Sequence, residues 1–251
     1  GYAQECAAVV WAAAPLYRLT GEARYAEAIT RYAAEELACQ ETDGPLAGYF
    51  YRDKSHRVIS HFNHQSRESL FLQALEAACE TLPAAPERAA WERGMRLYGD
   101  YLLGLRPYTA PYGMLAAGVH RLDEADDPET FRLMHILADY ERERPNYREQ
   151  LQPAAPLDAE RVVRCFPVWF SFRGNTAVQL AMAKNAALLG RYFGDEALSQ
   201  LGREQLYWVL GKNPFAQSLM YGMGDRYSAE YTVFPGELAG ELPVGMQTRA
   251  N

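Results

Sequence analysis

Apolar residues recur along this chain at helical spacing, in pairs of segments joined by tight turns. From Tyr2 to Leu19, Ala8, Trp11, Ala12, Pro15, Leu16 and Leu19 fall close to a 3.6-residue repeat. Pro15 is expected to kink this helix or mark an irregular last turn. Thr20-Gly21 stops it, and a return helix is predicted over Glu22 to Gln40 on a stripe of Tyr25, Ala28, Ile29, Tyr32, Ala33 and Leu37. The plan repeats from Gln65 to Leu82, with Leu70, Phe71, Ala74, Leu75 and Ala78 inside. After a Pro83–Pro86 turn comes Glu87 to Leu105, on Trp91, Met95, Tyr98, Tyr101 and Leu102. A third pair covers Asn175 to Tyr192 and Asp195 to Leu210, where Asp195 suits the N-cap after the Phe193-Gly194 turn. A shorter helix is predicted over Pro128 to Tyr140.

Three long intervals separate these helices: Glu41 to His64, Arg106 to Asp127 and Glu141 to Arg173. They exceed ordinary connections, so they are expected to carry function. Within the first, Tyr49-Phe50-Tyr51 and His56 to Ser60 have the spacing of a small β-hairpin. One set of turns is tight and the other is long and aromatic. That asymmetry suits a closed double ring of inner and outer helices better than an open solenoid, with an active face built from the long loops. No low-complexity linker interrupts the chain, so residues 1–251 read as a single domain.

Composition narrows the function classes. Of 251 residues, 49% are hydrophobic, enough to bury a sizeable core and to exclude a disordered chain. The formal net charge of −7 argues against a nucleic-acid partner, and no apolar run approaches the roughly 20 residues that span a bilayer. Cys6, Cys39, Cys79 and Cys165 form no CxxC pair and match no zinc spacing; the first three sit on alanine-rich stretches as small buried hydrophobes. Seventeen tyrosines supply rings for packing and for stacking on sugar faces.

The most specific stretch is Gly202 to Gly224. A helix ends at Leu210-Gly211, Pro214 prevents its continuation, and a glycine-punctuated loop through Ser218, Tyr221 and Gly222 follows. It resembles the pattern of glycoside hydrolase family 9, in which a helix ends in ILGDNP and a SYVVGFG-like loop comes next. Upstream, Trp169-Phe-Ser171-Phe-Arg173-Gly-Asn175 resembles that family's WGSLRYxxN segment. The resemblance implies an all-α (α/α)6 toroid of helical hairpins that hydrolyses β-linked glycans, typically by inversion, with an Asp activating water and a Glu protonating the leaving oxygen. It also suggests secretion or the periplasm, whereas the unpaired cysteines lean towards a reducing compartment. The family's DAGD-like motif, its PHHR element and its late acidic Glu have no counterpart here; Asp225-Arg226-Tyr227-Ser-Ala-Glu230-Tyr231 stands where PHHR would. About three and a half hairpins fall short of the six that close a ring. The expectation is therefore a part of the toroid, lacking N-terminal hairpins and the C-terminal helix.

Candidate substrate contacts follow from where loops enter helices. His61-Phe-Asn63-His64-Gln65-Ser66-Arg67-Glu68 brings His64, Arg67 and Glu68 within one turn at a helix start. Carboxylates accept from sugar hydroxyls, and Arg and His donate to them. The same cluster reads equally as an N-cap with Glu68 answering the helix dipole. Glu68 is the one carboxylate singled out for acid/base work. His61 and His64 lack further ligands at metal spacing. Arg173 and Asn175 occupy the next comparable junction, where Asn is also a good N-cap. Trp169, Tyr112 and Tyr221 are candidates for stacking on a pyranose, against a core role for each. Asp123-Glu124-Ala-Asp126-Asp127 groups hard oxygens that suit a structural Ca²⁺, or a solvated acidic loop ahead of a helix. No other cofactor is expected, the partner is a carbohydrate, and oligomeric state is not legible. Two other readings remain: a uronate lyase or sugar epimerase on a similar toroid, and a non-enzymatic helical-repeat scaffold.

Overall fold

A computed structural model describes residues 2–61, 69–134, 139–168, 175–227 and 238–243. Three helical hairpins dominate it. α1 (Ala3–Thr20) pairs with α2 (Ala23–Leu37), α3 (Ser69–Thr81) with α4 (Arg88–Gly104), and α7 (Asn175–Phe193) with α8 (Glu196–Val209). Between the second and third hairpins lie β1 (Gly118–Arg121), α5 (Pro128–Met134), α6 (Tyr140–Leu151), β2 (Ala155–Pro156) and β3 (Arg161–Arg164).

The first members α1, α3 and α7 pack on one another in one layer, and the return helices α2, α4 and α8 form a second. The fold is thus an all-α double layer of hairpins, as the sequence pattern indicates. α3 and α7 run parallel: Ser69 Oγ at the start of α3 donates to the Ala181 carbonyl in the second turn of α7, and Arg191 pairs with Glu76 further along both. Their tight turns accordingly share one end and their long loops the other. Gly21 ends α1 in the left-handed conformation (φ 69°), its N–H bonding the Tyr17 carbonyl. Asp195 caps α8 as expected, accepting from the Leu198 amide at 3.1 Å.

Burial follows the expected stripes on α2, α3 and α4 but not on α1. There Ala3, Cys6, Ala7, Val10, Ala13 and Ala14 are buried, while Ala8, Trp11, Ala12, Pro15, Leu16 and Leu19 lie exposed. The helix is apolar on both sides, so periodicity alone could not select the packed one. Pro15 does not end α1, which continues to Thr20. Because Pro15 is on the exposed face, its ring avoids the interhelical contact.

The middle of the chain departs further from expectation. Of the predicted Pro128–Tyr140 helix, Pro128–Met134 is helical and residues 135–138 lie outside the described residues; a second helix, α6, begins after the extended Asp139 and occupies part of what read as loop. α6 buries only Tyr140, Tyr147 and Leu151, too few apolar positions for a clear helical signal. A three-stranded antiparallel sheet in the order β1-β3-β2 was also not foreseen; its register pairs Val119 with Val163 and Ala155 with Val163. These pieces enclose a small second core of Ala125, Phe131, Tyr140, Tyr147, Leu151, Val162 and Val168. The expected hairpin around Tyr49–Ser60 is present as isolated bridges, Gln40 with Phe50 and Tyr51 with Ile59.

Candidate active site

The long loops gather at the starts of α3 and α7. The 40–61 loop is tied down by Gln40, whose buried amide donates to the Gly48 carbonyl at 2.8 Å and to the Gly94 carbonyl of α4 at 2.9 Å. Gly48 adopts φ 126°, and a Cβ there would strike the Leu97 carbonyl, so only glycine allows this approach of loop to helix. Phe50 stacks on Phe71 of α3 with centroids 4.4 Å apart. Tyr51 donates to Glu41 at 2.7 Å, and Arg161 of β3 reaches both Tyr49 (2.9 Å) and Glu41 (3.4 Å). Burial, with hydrogen bonds to Tyr49 and Glu41, pushes the Tyr51 phenol far above its ordinary range. Both phenols therefore act as hydrogen-bonding groups rather than bases, and they couple the loop to the sheet.

At the end of this loop His61 meets Glu124. His61 Nε2 lies 3.2 Å from Glu124 Oε2, and the same carboxylate accepts from Tyr147 Oη at 2.6 Å. The Ile59 amide is 3.4 Å from Oε1. Glu124 is fully buried, and the His61 ring stacks on His120 at 4.1 Å and 16°. The other carboxylates of the acidic run 123–127 face arginines. Asp123 is held by Arg121, Asp126 by Arg148 and Arg144, and Asp127 by Arg57. Among the described residues no group of three metal-ligating side chains comes together.

The 106–117 loop crosses the start of α7. Gln205 of α8 secures it, accepting from the Leu115 amide at 2.7 Å and donating to the Gly113 carbonyl at 2.8 Å. Tyr112 stands exposed on this loop. Asn175 opens α7 with Nδ2 3.8 Å from the Met114 sulfur, so Tyr112 and Asn175 belong to one neighbourhood. Met114 also shares an apolar cluster with Trp208, Val209 and Leu219, against which Met220 packs; this brings the Tyr221 loop to the same region.

That glycine-punctuated loop is organised by Asn213. Its Nδ2 donates to the Trp208 and Gln217 carbonyls, both at 2.8 Å, and its Oδ1 accepts from the Phe215 amide at 3.1 Å. Gly222 and Gly224 take φ of 69° and 79°, turning the chain where side chains would be strained. Tyr221 is half-buried, its ring edge-on to Tyr227 at 5.3 Å, and its backbone pairs with Gly240 and Glu241.

Of the residues singled out from sequence, Tyr112, Asn175 and Tyr221 fall on this face, while His64, Arg67, Glu68, Trp169 and Arg173 lie outside the described residues. Sequence reasoning did not single out Gln205, Asn213 or Arg161, and took Glu124 only as one oxygen donor of the acidic run, not as a partner of His61. Asn213 had a signal in the Asn-Pro pair after a helix-ending glycine. Glu124, hidden in an acidic run, had none. Residues 2–232 match the model of a family described as Glycosyl hydrolase family 9. No curated protein matches the chain.

Proposed function

Since the chain belongs to glycosyl hydrolase family 9, a family of glycosidases, we propose that it cleaves a β-linked glycan or oligosaccharide at the loop end of its hairpins. The observation that carries this reading is the extent of the match. It runs through both sequence segments that resembled the family, Trp169–Asn175 and Gly211–Gly224. The loop face supports it: Tyr112 and Tyr221 supply rings that suit a pyranose face, and Asn175 offers an amide to sugar hydroxyls.

The reaction we assign is inverting hydrolysis. One carboxylate takes a proton from water and a carboxylic acid protonates the leaving oxygen, the two standing roughly 6.5–9.5 Å apart to admit the water. Glu68 is the carboxylate proposed for acid/base work, beside His64 and Arg67 as substrate contacts; Trp169 and Arg173 complete the proposed set. On this reading the three hairpins form one sector of an (α/α)6 toroid.

The protein is incubated with soluble β-glucans while new reducing ends and the anomer of the product are followed. Release of α-anomers from β-linked substrate is expected, and Glu68→Gln is expected to abolish it. An unsaturated sugar absorbing in the ultraviolet would point to a lyase instead. Unchanged hydrolysis by Glu68→Gln removes that residue from the mechanism.

A further inference from the structure

The acidic run and the His61 motif are far apart in sequence, yet they meet in a site of their own. Resting on the glycosidase reading above, we infer that Glu124 is a positioning residue for His61, and that His61 offers its other ring nitrogen, Nδ1, to a sugar hydroxyl.

The geometry fixes the imidazole in two ways. Its plane is set by the stack on His120, whose own Nδ1 lies 3.2 Å from the Gly118 carbonyl. Its rotation is set by Glu124 at Nε2. A carboxylate buried this fully is expensive to desolvate and persists only when donors surround it. Glu124 has three: the Tyr147 hydroxyl, the Ile59 amide and His61. The 2.6 Å contact from Tyr147 has the length of a hydroxyl donating to an ionised carboxylate. An ionised carboxylate only accepts, so the proton at His61 must sit on Nε2. In the neutral ring that leaves Nδ1 as an acceptor.

His61 is where this arrangement meets the outside. Its ring is 8% exposed, against none for the Glu124 side chain. It borders a narrow recess lined by Tyr49, Ser60, Phe71, Tyr98, Tyr101 and Val119, with room for one water or hydroxyl at most. A recess of that size takes a substituent of a sugar ring, with the ring lying over it. A purely structural link between the small second core and the hairpins would need neither a buried charge nor a paired imidazole; apolar packing of equal volume serves as well.

The test separates the two halves of the inference. Tyr147→Phe serves as the parent, since it removes the phenol but keeps Glu124 and His61. Glu124→Met in that background removes the acceptor without stranding the phenol. Nitrogen-15 signals of His61 are expected to report a dominant Nε2–H tautomer in the wild type and parent, and a mixture in the double variant. An unchanged tautomer in the folded double variant overturns the positioning role. Adding a cello-oligosaccharide to saturation is expected to shift the wild-type Nδ1 signal; no shift overturns the hydroxyl contact. On a soluble β-glucan, kcat/KM of the double variant is expected to fall roughly twofold to tenfold from the parent, chiefly through KM, the size of one lost neutral hydrogen bond. Should the double variant fail to fold, His61→Phe keeps the stack on His120 and is expected to lose the same factor; full activity in that variant overturns the inference. If the wild type hydrolyses no β-glucan, the proposed function fails, while the tautomer still decides whether Glu124 positions His61.

Discussion

Gln205 of α8 accepts a 2.7 Å hydrogen bond from the amide of Leu115, ninety residues earlier in the chain. The same oxygen accepts from Gln179 of α7 at 3.1 Å, and the Gln205 amide nitrogen serves the Gly113 and Leu201 carbonyls. Every hydrogen-bonding position of this buried amide is used, so one side chain locks the Tyr112 loop to two helices. Gln205→Leu keeps the volume but strands the Leu115 N–H and the Gly113 carbonyl. We expect a loss of about 1–3 kcal/mol in urea denaturation, the cost of leaving buried polar groups unpaired. A change smaller than about 0.5 kcal/mol, the range of an ordinary surface substitution, shows that water replaces the clasp.

Val10 and Trp11 are adjacent in sequence and opposite in fate. Val10 is fully buried, whereas Trp11 is 52% exposed. Val10→Ala is expected to cost about 1–3 kcal/mol through lost burial and a small cavity, and Trp11→Ala to stay within about 0.5 kcal/mol. Thermal or urea unfolding of the two variants side by side reads the rotation of α1 directly. A larger loss for Trp11→Ala than for Val10→Ala would place Trp11, not Val10, against the other helices.

That pair also marks how far the sequence could be read. Where a helix has one apolar face, as α2 does with Ile29 and Ala33 buried and Arg31 exposed, spacing found both the helix and its packed side. α1 is apolar all round, so spacing found the helix and chose the wrong side. The helix around Tyr147 was invisible because three buried residues among charged ones make no stripe, and strands such as Gly118–Arg121 are too short for alternation to register. At the site, glycines and the Asn213-Pro214 pair announced the tail loop, because turn chemistry is local. The His61–Glu124 contact could not be foreseen. It joins residues 63 apart, and nothing local distinguishes Glu124 from its solvent-facing neighbours.

Glu36 is a carboxyl placed on the packed face of α2, between the positions of Ile29 and Ala33 and the end of the helix. It is fully buried, and neither oxygen has a partner among the described residues. Desolvation raises its pKa well above the ordinary carboxylate value. Between the unfolded pKa, about 4.3, and the raised folded value, the folded chain binds the extra proton. Stability therefore falls as pH rises through that window. Glu36→Met removes the group that must ionise or stay protonated at a cost. We expect it to stabilise the protein at neutral pH by about 1–2 kcal/mol and to flatten the dependence of Tm on pH above about 4.3. A variant that is less stable at pH 7 and keeps the same slope would show that Glu36 is satisfied by bound water.

The acidic loop offers a sharp test with a chelator. Asp123 has its carboxyl held below the ordinary range by the Arg121 guanidinium, which donates to both its oxygens at 2.9 Å. With Asp126 and Asp127 also facing arginines, few oxygens are left for a hard cation that takes six to eight ligands. Tm is expected to be the same in excess chelator and in millimolar calcium. A rise in Tm with calcium, following mass action, would mean that the ion displaces these arginines.

Tyr112 stands open to a ligand on the loop face, being 42% exposed on the segment that Gln205 fixes. A ring that stacks on a sugar is worth roughly 0.5–1.5 kcal/mol beyond its area, so its loss weakens binding by roughly two- to tenfold. Because the ring contributes little to the core, stability is not expected to move by more than about 0.5 kcal/mol. Tyr112→Ala should thus raise KM on a β-glucan by that factor with kcat and Tm unchanged, whereas Tyr112→Phe keeps the face and should restore KM. An equal fall in kcat and kcat/KM would assign the ring to the transition state. An unchanged KM would move the sugar away from this loop.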